Sequence, residues 1–392
     1  MTSTPVTDFF YRPITGKREQ HATRAVFLIA GLAMAAWAPL VPFAKSRIGV
    51  EDGAFGLLLL CLGLGSIVAM PVTGALAGRF GCRTVIVGSS LLLAIAVPLL
   101  ALANTSFTLA LALAMFGASI GTLDVAINIQ AVIVEKDSGH NMMSGFHGLF
   151  SLGGIVGAGG VSLLLGAGLA PLVATLIISI AVLMLLLRSY SGLLPVSNRE
   201  AENTPLFVLP KGIVISIGLL CFVVFLGEGA ILDWSALFLI SEHSVDQKMA
   251  GLGYTMFAVA MTLGRLTGDW IVKTLGGMCV VAIGSVLAAS GFLLSVLAPG
   301  QILVFVGFAL VGLGASNIVP VLFTAAGRQK SMPANLAIAA ITTIGYAGIL
   351  AGPAFIGFVA QHASLSKAMI LLAVALAAVA VAGPLSIKAS ER

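Results

Sequence analysis

The sequence predicts an all-α polytopic membrane protein whose twelve transmembrane helices form two pseudo-symmetric six-helix bundles. Three observations predict it. The 392 residues are 59% hydrophobic and 9% charged, with a mean hydropathy of +1.11, whereas a soluble domain carries about 25% charged residues. The charges gather in short clusters between apolar runs of about 20 residues, the length that crosses a hydrocarbon core of about 30 Å. The chain also repeats itself at close to half its length. Trp37 precedes Trp234 by 197 residues, and Gly117-Ala118-Ser119 precedes Gly314-Ala315-Ser316 by the same 197. Gly74 with Arg79 recurs 194 positions later as Gly268 with Lys273, and Gly153-x-x-x-Gly157 recurs after 195 as Gly348-x-x-x-Gly352. Duplicated halves in a very apolar chain mark a transporter whose site lies between the repeats.

The runs are rich in Leu, Ala, Val and Gly without polar alternation, which favours helices over a barrel. The first six spans are expected at 24–43, 53–77, 84–103, 107–134, 143–166 and 169–187. The second six are expected at 212–240, 249–272, 277–298, 301–326, 333–360 and 365–387. Residues 1–23 form an N-terminal tail ahead of an uncleaved first span, because no small-residue cleavage site follows the apolar run. The N-terminal bundle is then 24–187 and the C-terminal bundle 212–387, with a short tail at 388–392. Residues 188–211, the longest internal polar stretch, hold Arg188, Arg199, Glu200, Glu202, Pro205, Pro210 and Lys211 and read as the linker between halves.

Lys and Arg orient the array. If both termini lie on one side, that side carries 15 of the 20 basic residues, the opposite loops carry 4, and Arg265 lies within a span. Termini and linker are therefore expected in the cytoplasm, with the protein in a bacterial inner membrane. The net charge of +5 is spread over many loops and does not point to nucleic acid. Cys61, Cys82, Cys221 and Cys279 lack both metal-ligand spacing and a disulfide framework. No Walker, His-Glu-x-x-His or nucleophile motif is found. We expect no enzyme activity, cofactor or metal, and a chain that works as a monomer with the lipid bilayer, a small-molecule substrate and protons as its partners.

Six plus six spans, a cytoplasmic linker and internal termini resemble the major facilitator superfamily. Its cytoplasmic Gly-x-Leu-Ala-Asp-Arg-x-Gly-Arg-Lys signature is similar to Gly74-Ala75-Leu76-Ala77-Gly78-Arg79-Phe80-Gly81-Cys82-Arg83. Gly74, Leu76, Ala77, Arg79, Gly81 and Arg83 match, while Gly78 stands for the Asp and Cys82 for an Arg. The resemblance implies a cytoplasmic gate at Gly74, Arg79, Gly81 and Arg83, without the carboxylate that family members use to latch it. The second copy, around Gly268 and Lys273, is looser, and Arg265 and Asp269 beside it are further gate candidates. A narrower resemblance lies in span 4. There Gly121-Thr122-Leu123-Asp124-Val125-Ala126-Ile127-Asn128 is similar to the acidic-x-Ala-Ala-Asn stretch of proton-coupled fucose-type permeases, with Asp124 in place of a Glu.

A carboxylate near the bilayer centre costs a few kcal/mol or more and needs a partner, a proton or water. Gly117, Gly121, Asp124, Asn128, Ala131 and Glu135 follow spacings of four and three, one stripe that is small above and polar below. Asn128, one turn from Asp124, can donate to its carboxylate. Glu135 is expected at the interface, solvated. His147, Ser151, Gly154 and Ala158 make a similar stripe in span 5, and the short connection suggests that spans 4 and 5 are antiparallel neighbours. Asp124, Asn128 and His147 then share a pocket that recognises substrate hydroxyls, with Asp124 taking up a proton; the alternative is a packing network that never meets substrate.

In span 7, Glu228 lies near the midplane between Gly227 and Gly229, which permit local unwinding beside a site. Glu228 is a substrate or proton candidate, and Asp233 is a solvated interfacial carboxylate. Trp37 and Trp234 form either an aromatic belt or paired walls above a sugar-sized ligand. Arg265 and Asp269 have the spacing of an i,i+4 ion pair, with the Arg reaching for the cytoplasm.

The expected function is secondary active transport by alternating access: proton-coupled uptake of a small polar solute such as a sugar, polyol or related compound, as the fucose-type resemblance implies. The alternative is proton-driven efflux of amphipathic compounds. Exporters of the superfamily often carry Gly-x-x-x-Gly-Pro-x-x-Gly-Gly in span 5, and the run Gly153–Gly160 lacks its Pro. A sensor on the same scaffold would need a larger exposed domain than these short tails and linker provide.

Overall fold

Among the described residues, six α-helices precede the linker and seven follow it. The computed structural model describes residues 16–50, 52–195, 208–245, 252–297 and 299–391, so most of the N-terminal tail and the middle of the linker lie outside the described residues. The helices are α1 (Lys17–Ala35), α2 (Val41–Ile48), α3 (Asp52–Leu102), α4 (Ser106–Ser138), α5 (Met143–Gly166), α6 (Pro171–Ser189), α7 (Ile213–His243), α8 (Leu252–Leu275), α9 (Gly277–Leu297), α10 (Gln301–Ala315), α11 (Ile318–Arg328), α12 (Ala334–His362) and α13 (Leu365–Ser390). Among the described residues there is no strand.

Among the described residues, ten segments are long and apolar enough to cross a membrane. One of them, Leu57–Leu102, has 46 residues and holds two crossings, because the helix breaks at Gly81 (φ 80, ψ 154). A side chain strains this backbone conformation, so glycine is required there. The motif glycine thus makes the turn between spans 2 and 3. α8 is the remaining crossing, made less apolar by Arg265, Asp269 and Lys273. α10 and α11 make a single crossing interrupted at Ser316 and Asn317. Twelve spans result.

Packing repeats between the halves. Glycines of α5 rest on the backbone of α1: a Cβ on Gly157 would lie 2.1 Å from the Leu32 carbonyl oxygen, and one on Gly153 would lie 2.4 Å from that of Leu28. The same contact joins α12 to α7, where a Cβ on Gly348 would lie 2.3 Å from the Phe222 carbonyl oxygen. The repeated Gly-x-x-x-Gly steps therefore do the same work in both halves. They let backbones approach where lipid supplies no hydrophobic drive for helices to associate. α5 packs chiefly on α1 and on α8 of the other half, and it touches α4 only lightly. The expectation that spans 4 and 5 lie side by side is corrected accordingly: a short connection places two helix ends close together, while the glycine face of α5 selects α1.

The halves meet at the side that carries the termini and linker. Asn335 at the start of α12 donates from Nδ2 to the Gly74 carbonyl at 2.7 Å. A Cβ on Gly74 would sit 2.8 Å from that same carbonyl partner's own main-chain oxygen, Asn335 O. Gly327 of α11 faces Val132 of α4 so closely that a Cβ would come within 2.1 Å of Val132 Cγ1. Near the linker, Arg83 donates from Nε to the Leu193 carbonyl at 2.9 Å and stacks over the Tyr190 ring at 5.1 Å. Leu193 and Leu194 are buried, so the start of the 188–211 stretch lies against the N-terminal half.

Candidate functional site

Asp124, Asn128 and His147 come together. Asp124 and Asn128 are one turn apart on α4, and Asn128 Nδ2 donates to the Asp124 carbonyl at 2.9 Å and, longer, to Asp124 Oδ1 at 3.4 Å. His147 Nε2 lies 3.2 Å from Asn128 Oδ1. Exposures are 8%, 0% and 9%. The His147 ring is boxed by Phe27 at 5.3 Å and Phe323 at 5.8 Å, the latter from the other half. Phe146 stacks on Phe27 at 5.6 Å. Above this cluster the small part of the stripe meets α3, where Gly117 lies against Leu62 and Gly121 against Ser66.

Glu228 is partnered by Arg265. Arg265 Nη2 is 3.5 Å from Glu228 Oε1, and the two side chains are 8% and 17% exposed. Arg265 also donates from Nη1 to Ser151 Oγ at 3.0 Å and from Nε to the Ser316 carbonyl at 3.3 Å. This corrects the expected i,i+4 pair with Asp269 and the reach towards the cytoplasm. Helical spacing offers Arg265 both directions; Asp269 is engaged by the Gly145 N–H of α5, and Glu228 on α7 takes the guanidinium. Two unit charges 4 Å apart attract by about 4 kcal/mol at an effective dielectric of about 20, which offsets part of the several kcal/mol that burying each ion costs. α7 runs unbroken through Gly227-Glu228-Gly229, so the expected unwinding is absent. The glycines serve packing instead, with Gly229 against Ile349 of α12.

A polar chain therefore runs between the halves. Ser151 Oγ donates to the His147 carbonyl at 3.2 Å and receives Arg265. The path passes from Asp124 through Asn128, His147 and Ser151 to Arg265 and Glu228. Tyr346 of α12 lies in the electrostatic field of both Asp124 and Glu228, and Tyr254 of α8 in that of Glu228, Arg265 and Asp233. Neither tyrosine is in the carboxylate pattern of the sequence. Their signal is rarity, since the chain has four tyrosines and these two fall within spans.

Asp269 and Glu135 both serve the first turn of α5. The Gly145 N–H points at both Asp269 oxygens at 3.1 Å, from the opposite half. Glu135 Oε2 accepts from the Met142 and Met143 N–H groups at 2.8 Å each, and Thr324 of α11 donates to Glu135 Oε1 at 2.5 Å. Glu135 is 4% exposed, which corrects the solvated reading: unpaired N–H groups at a helix start attract a carboxylate. Arg79 is exposed. A cavity of about 360 Å³ opens beside this cluster, lined by Glu135, Asp269, Thr324, Arg328 and Cys279; Asp124 and Glu228 do not line it.

Trp37 and Trp234 lie in different packing environments. Trp37 is 8% exposed in the core of its half, which does not suit a lipid-facing belt. Trp234 rests on Gly357, whose Cβ would lie 3.2 Å from its ring. Asp233 is exposed, as expected of an interfacial carboxylate. Among the described residues, no group of three His, Cys, Asp or Glu is placed to hold a metal.

Comparison with known proteins agrees with this architecture. The fold is similar to that of the E. coli fucose:proton symporter FucP, with a TM-score of 0.81 at 17% identity, covering 94% of this chain and 98% of that one. It is also similar to the human organic anion transporter MFSD10, with a TM-score of 0.71 at 16% identity and coverages of 93% and 99%. A protein described as an uncharacterized MFS-type transporter of Yersinia pestis is 57% identical over 371 residues, 93% of this chain and 96% of that protein. Residues 25–331 match the family model of the Major Facilitator Superfamily, and with that match and that relative the chain belongs to this superfamily of membrane transporters.

Proposed function

We propose that the chain takes up a small polar solute, such as a sugar, polyol or related compound, together with protons, by alternating access between its two halves. The observation that carries the reading is the polar chain from Asp124 to Glu228, which spends two carboxylates, a histidine and an arginine inside an otherwise apolar bundle. Such groups are expensive in a membrane and mark substrate and proton pathways. Asp124, Asn128 and His147 offer acceptors and donors to hydroxyl groups from one half, and Glu228 does so from the other. The span-4 likeness to fucose-type permeases and the shared fold with a fucose:proton symporter support a hydroxylated solute. Fold alone does not choose it, because an organic anion transporter has the same architecture.

In this reading the termini face the cytoplasm of an inner-membrane protein that functions as a monomer. Gly74, Arg79, Gly81, Arg83 and Asp269 belong to the cytoplasmic gate. Arg265 moves from the gate to the central site.

The test is uptake into proteoliposomes with an imposed pH gradient, using a panel of labelled sugars, polyols and amphipathic cations. A sugar or polyol should accumulate when the outside is acidic, and Asp124→Asn should abolish accumulation. Movement of amphipathic cations alone, in exchange for protons, would establish efflux instead.

A further inference from the structure

Three formal charges meet in the polar chain: Asp124 and Glu228 as carboxylates and Arg265 as a guanidinium. His147 counts as neutral, since burying a second cation beside Arg265, which reaches the same turn of α5 through Ser151, is costly. With both carboxylates ionised the site carries a net charge of −1, and a single proton brings it to zero. The two carboxylates are unequal claimants for that proton. Glu228 has a permanent cation 3.5 Å away, and arginine does not deprotonate in proteins. Asp124 has the neutral Asn128 amide beside it.

We propose that Arg265 divides the work of the two carboxylates: it keeps Glu228 ionised throughout the cycle, and Asp124 carries the one exchangeable proton of the site. This rests on the proton-coupled reading above and deepens it, setting one proton for each neutral solute. Arg265 is in this sense a positioning residue for charge, acting through Glu228. Its bond to Ser151 ties that fixed pair to the half that holds Asp124.

The groups facing these residues from neighbouring helices leave the assignment intact. Around Asp124 they are Asn128 of its own helix, His147 of α5 through Asn128, and the Tyr346 hydroxyl of α12. Around Glu228 they are Arg265 and Tyr254 of α8, Tyr346 of α12, and Cys221 two turns back on α7. Arg265 is the cation among them. Two further carboxylates, the buried Glu135 and the half-buried Asp269, accept main-chain N–H groups at the start of α5 and belong to a separate cluster.

The experiment is pH-difference infrared spectroscopy of the purified full-length protein in lipid nanodiscs, with protons as the only probe. It follows the C=O stretch of carboxylic acids that stay protonated above the range where surface carboxylates titrate, recognised by its downshift in deuterium oxide. Wild type should show one such band. Asp124→Asn should remove it, Asp124→Glu should shift it, and Glu228→Gln should leave it. Arg265→Gln should add a second band, which the double variant Arg265→Gln/Glu228→Gln loses again, while Arg265→Lys should add none. Gel filtration and circular dichroism report whether each variant is folded, and Asp124→Glu and Arg265→Lys keep the test alive if the neutral variants are not. A wild-type band that survives Asp124→Asn and vanishes in Glu228→Gln would overturn the proposal, as would two bands in wild type or no new band in Arg265→Gln. The outcome is separable from the transport assay. The expected bands with no pH-driven sugar or polyol uptake would remove the function and leave the charge assignment; uptake with the opposite bands would do the reverse.

Discussion

Arg265 is where residue-level physics acts most strongly in this chain. Its three polar contacts, to Glu228, Ser151 and Ser316, come from three different helices or turns, so a single substitution leaves several groups unsatisfied at once. Breaking a buried ion pair by removing one partner typically costs about 3–5 kcal/mol, whereas removing both charges together costs far less. Arg265→Gln should therefore lower the melting temperature in detergent more than the double variant Arg265→Gln/Glu228→Gln does. The check is a double-mutant cycle by scanning fluorimetry. Strictly additive losses would mean that the pair contributes nothing as a pair. The same residue shows the limit of sequence reading: positions 261 and 269 are both one turn from Arg265, and Asp269 is the natural partner on spacing alone. What decides is that Asp269 is taken by the Gly145 N–H of α5, a contact 124 residues away that no local pattern records. The Asp124–Asn128 step is legible because both groups sit on one helix.

At the scale of elements, glycine spacing is the most informative signal. The spans themselves are readable from apolar length, and the turn at Gly81 from its motif. The pairing of α5 with α1 is not readable from connection length, which suggests α4. It follows instead from which glycines meet backbone. Gly157 and Gly160 are one turn apart on α5, yet a Cβ on Gly157 would lie 2.1 Å from Leu32 O, while nothing lies within 4 Å of one on Gly160. Gly157→Ala should push α1 and α5 apart and destabilise the bundle by about 1–3 kcal/mol, the usual cost of overpacking. Gly160→Ala should be neutral or slightly stabilising, because alanine favours helix by up to about 1 kcal/mol over glycine. Thermal stability of the two variants in the same detergent checks the contrast. Equal losses would show that α5 tolerates both faces alike and that the close approach to α1 is not what holds it.

For the whole molecule, the question is what holds the terminus side shut. The halves differ there. The N-terminal motif lacks its carboxylate at Gly78 and offers a main-chain carbonyl, Gly74 O, to Asn335. The C-terminal copy supplies a carboxylate, Asp269, which reaches across to the first turn of α5. Glu135, with Thr324 as its donor, adds a second link between halves at the same helix start. A carboxylate at a helix N-terminus contributes about 0.3–1 kcal/mol, and up to about 2 when partly buried, so loss of Asp269 should shift the balance between closed and open by about 2- to 30-fold. If the halves rock as rigid bodies, the shift must be reciprocal, opening one side while closing the other. Spin labels at Lys136→Cys and Lys330→Cys report on the terminus side, and labels at Thr105→Cys and Gln301→Cys report on the opposite side, with the four native cysteines replaced by serine. Adding Asp269→Ala should lengthen the first distance and shorten the second. Distances that both stay put would place the closing force elsewhere in the interface, at Gly74 and Asn335, while a change on one side only would mean that the halves bend rather than rock.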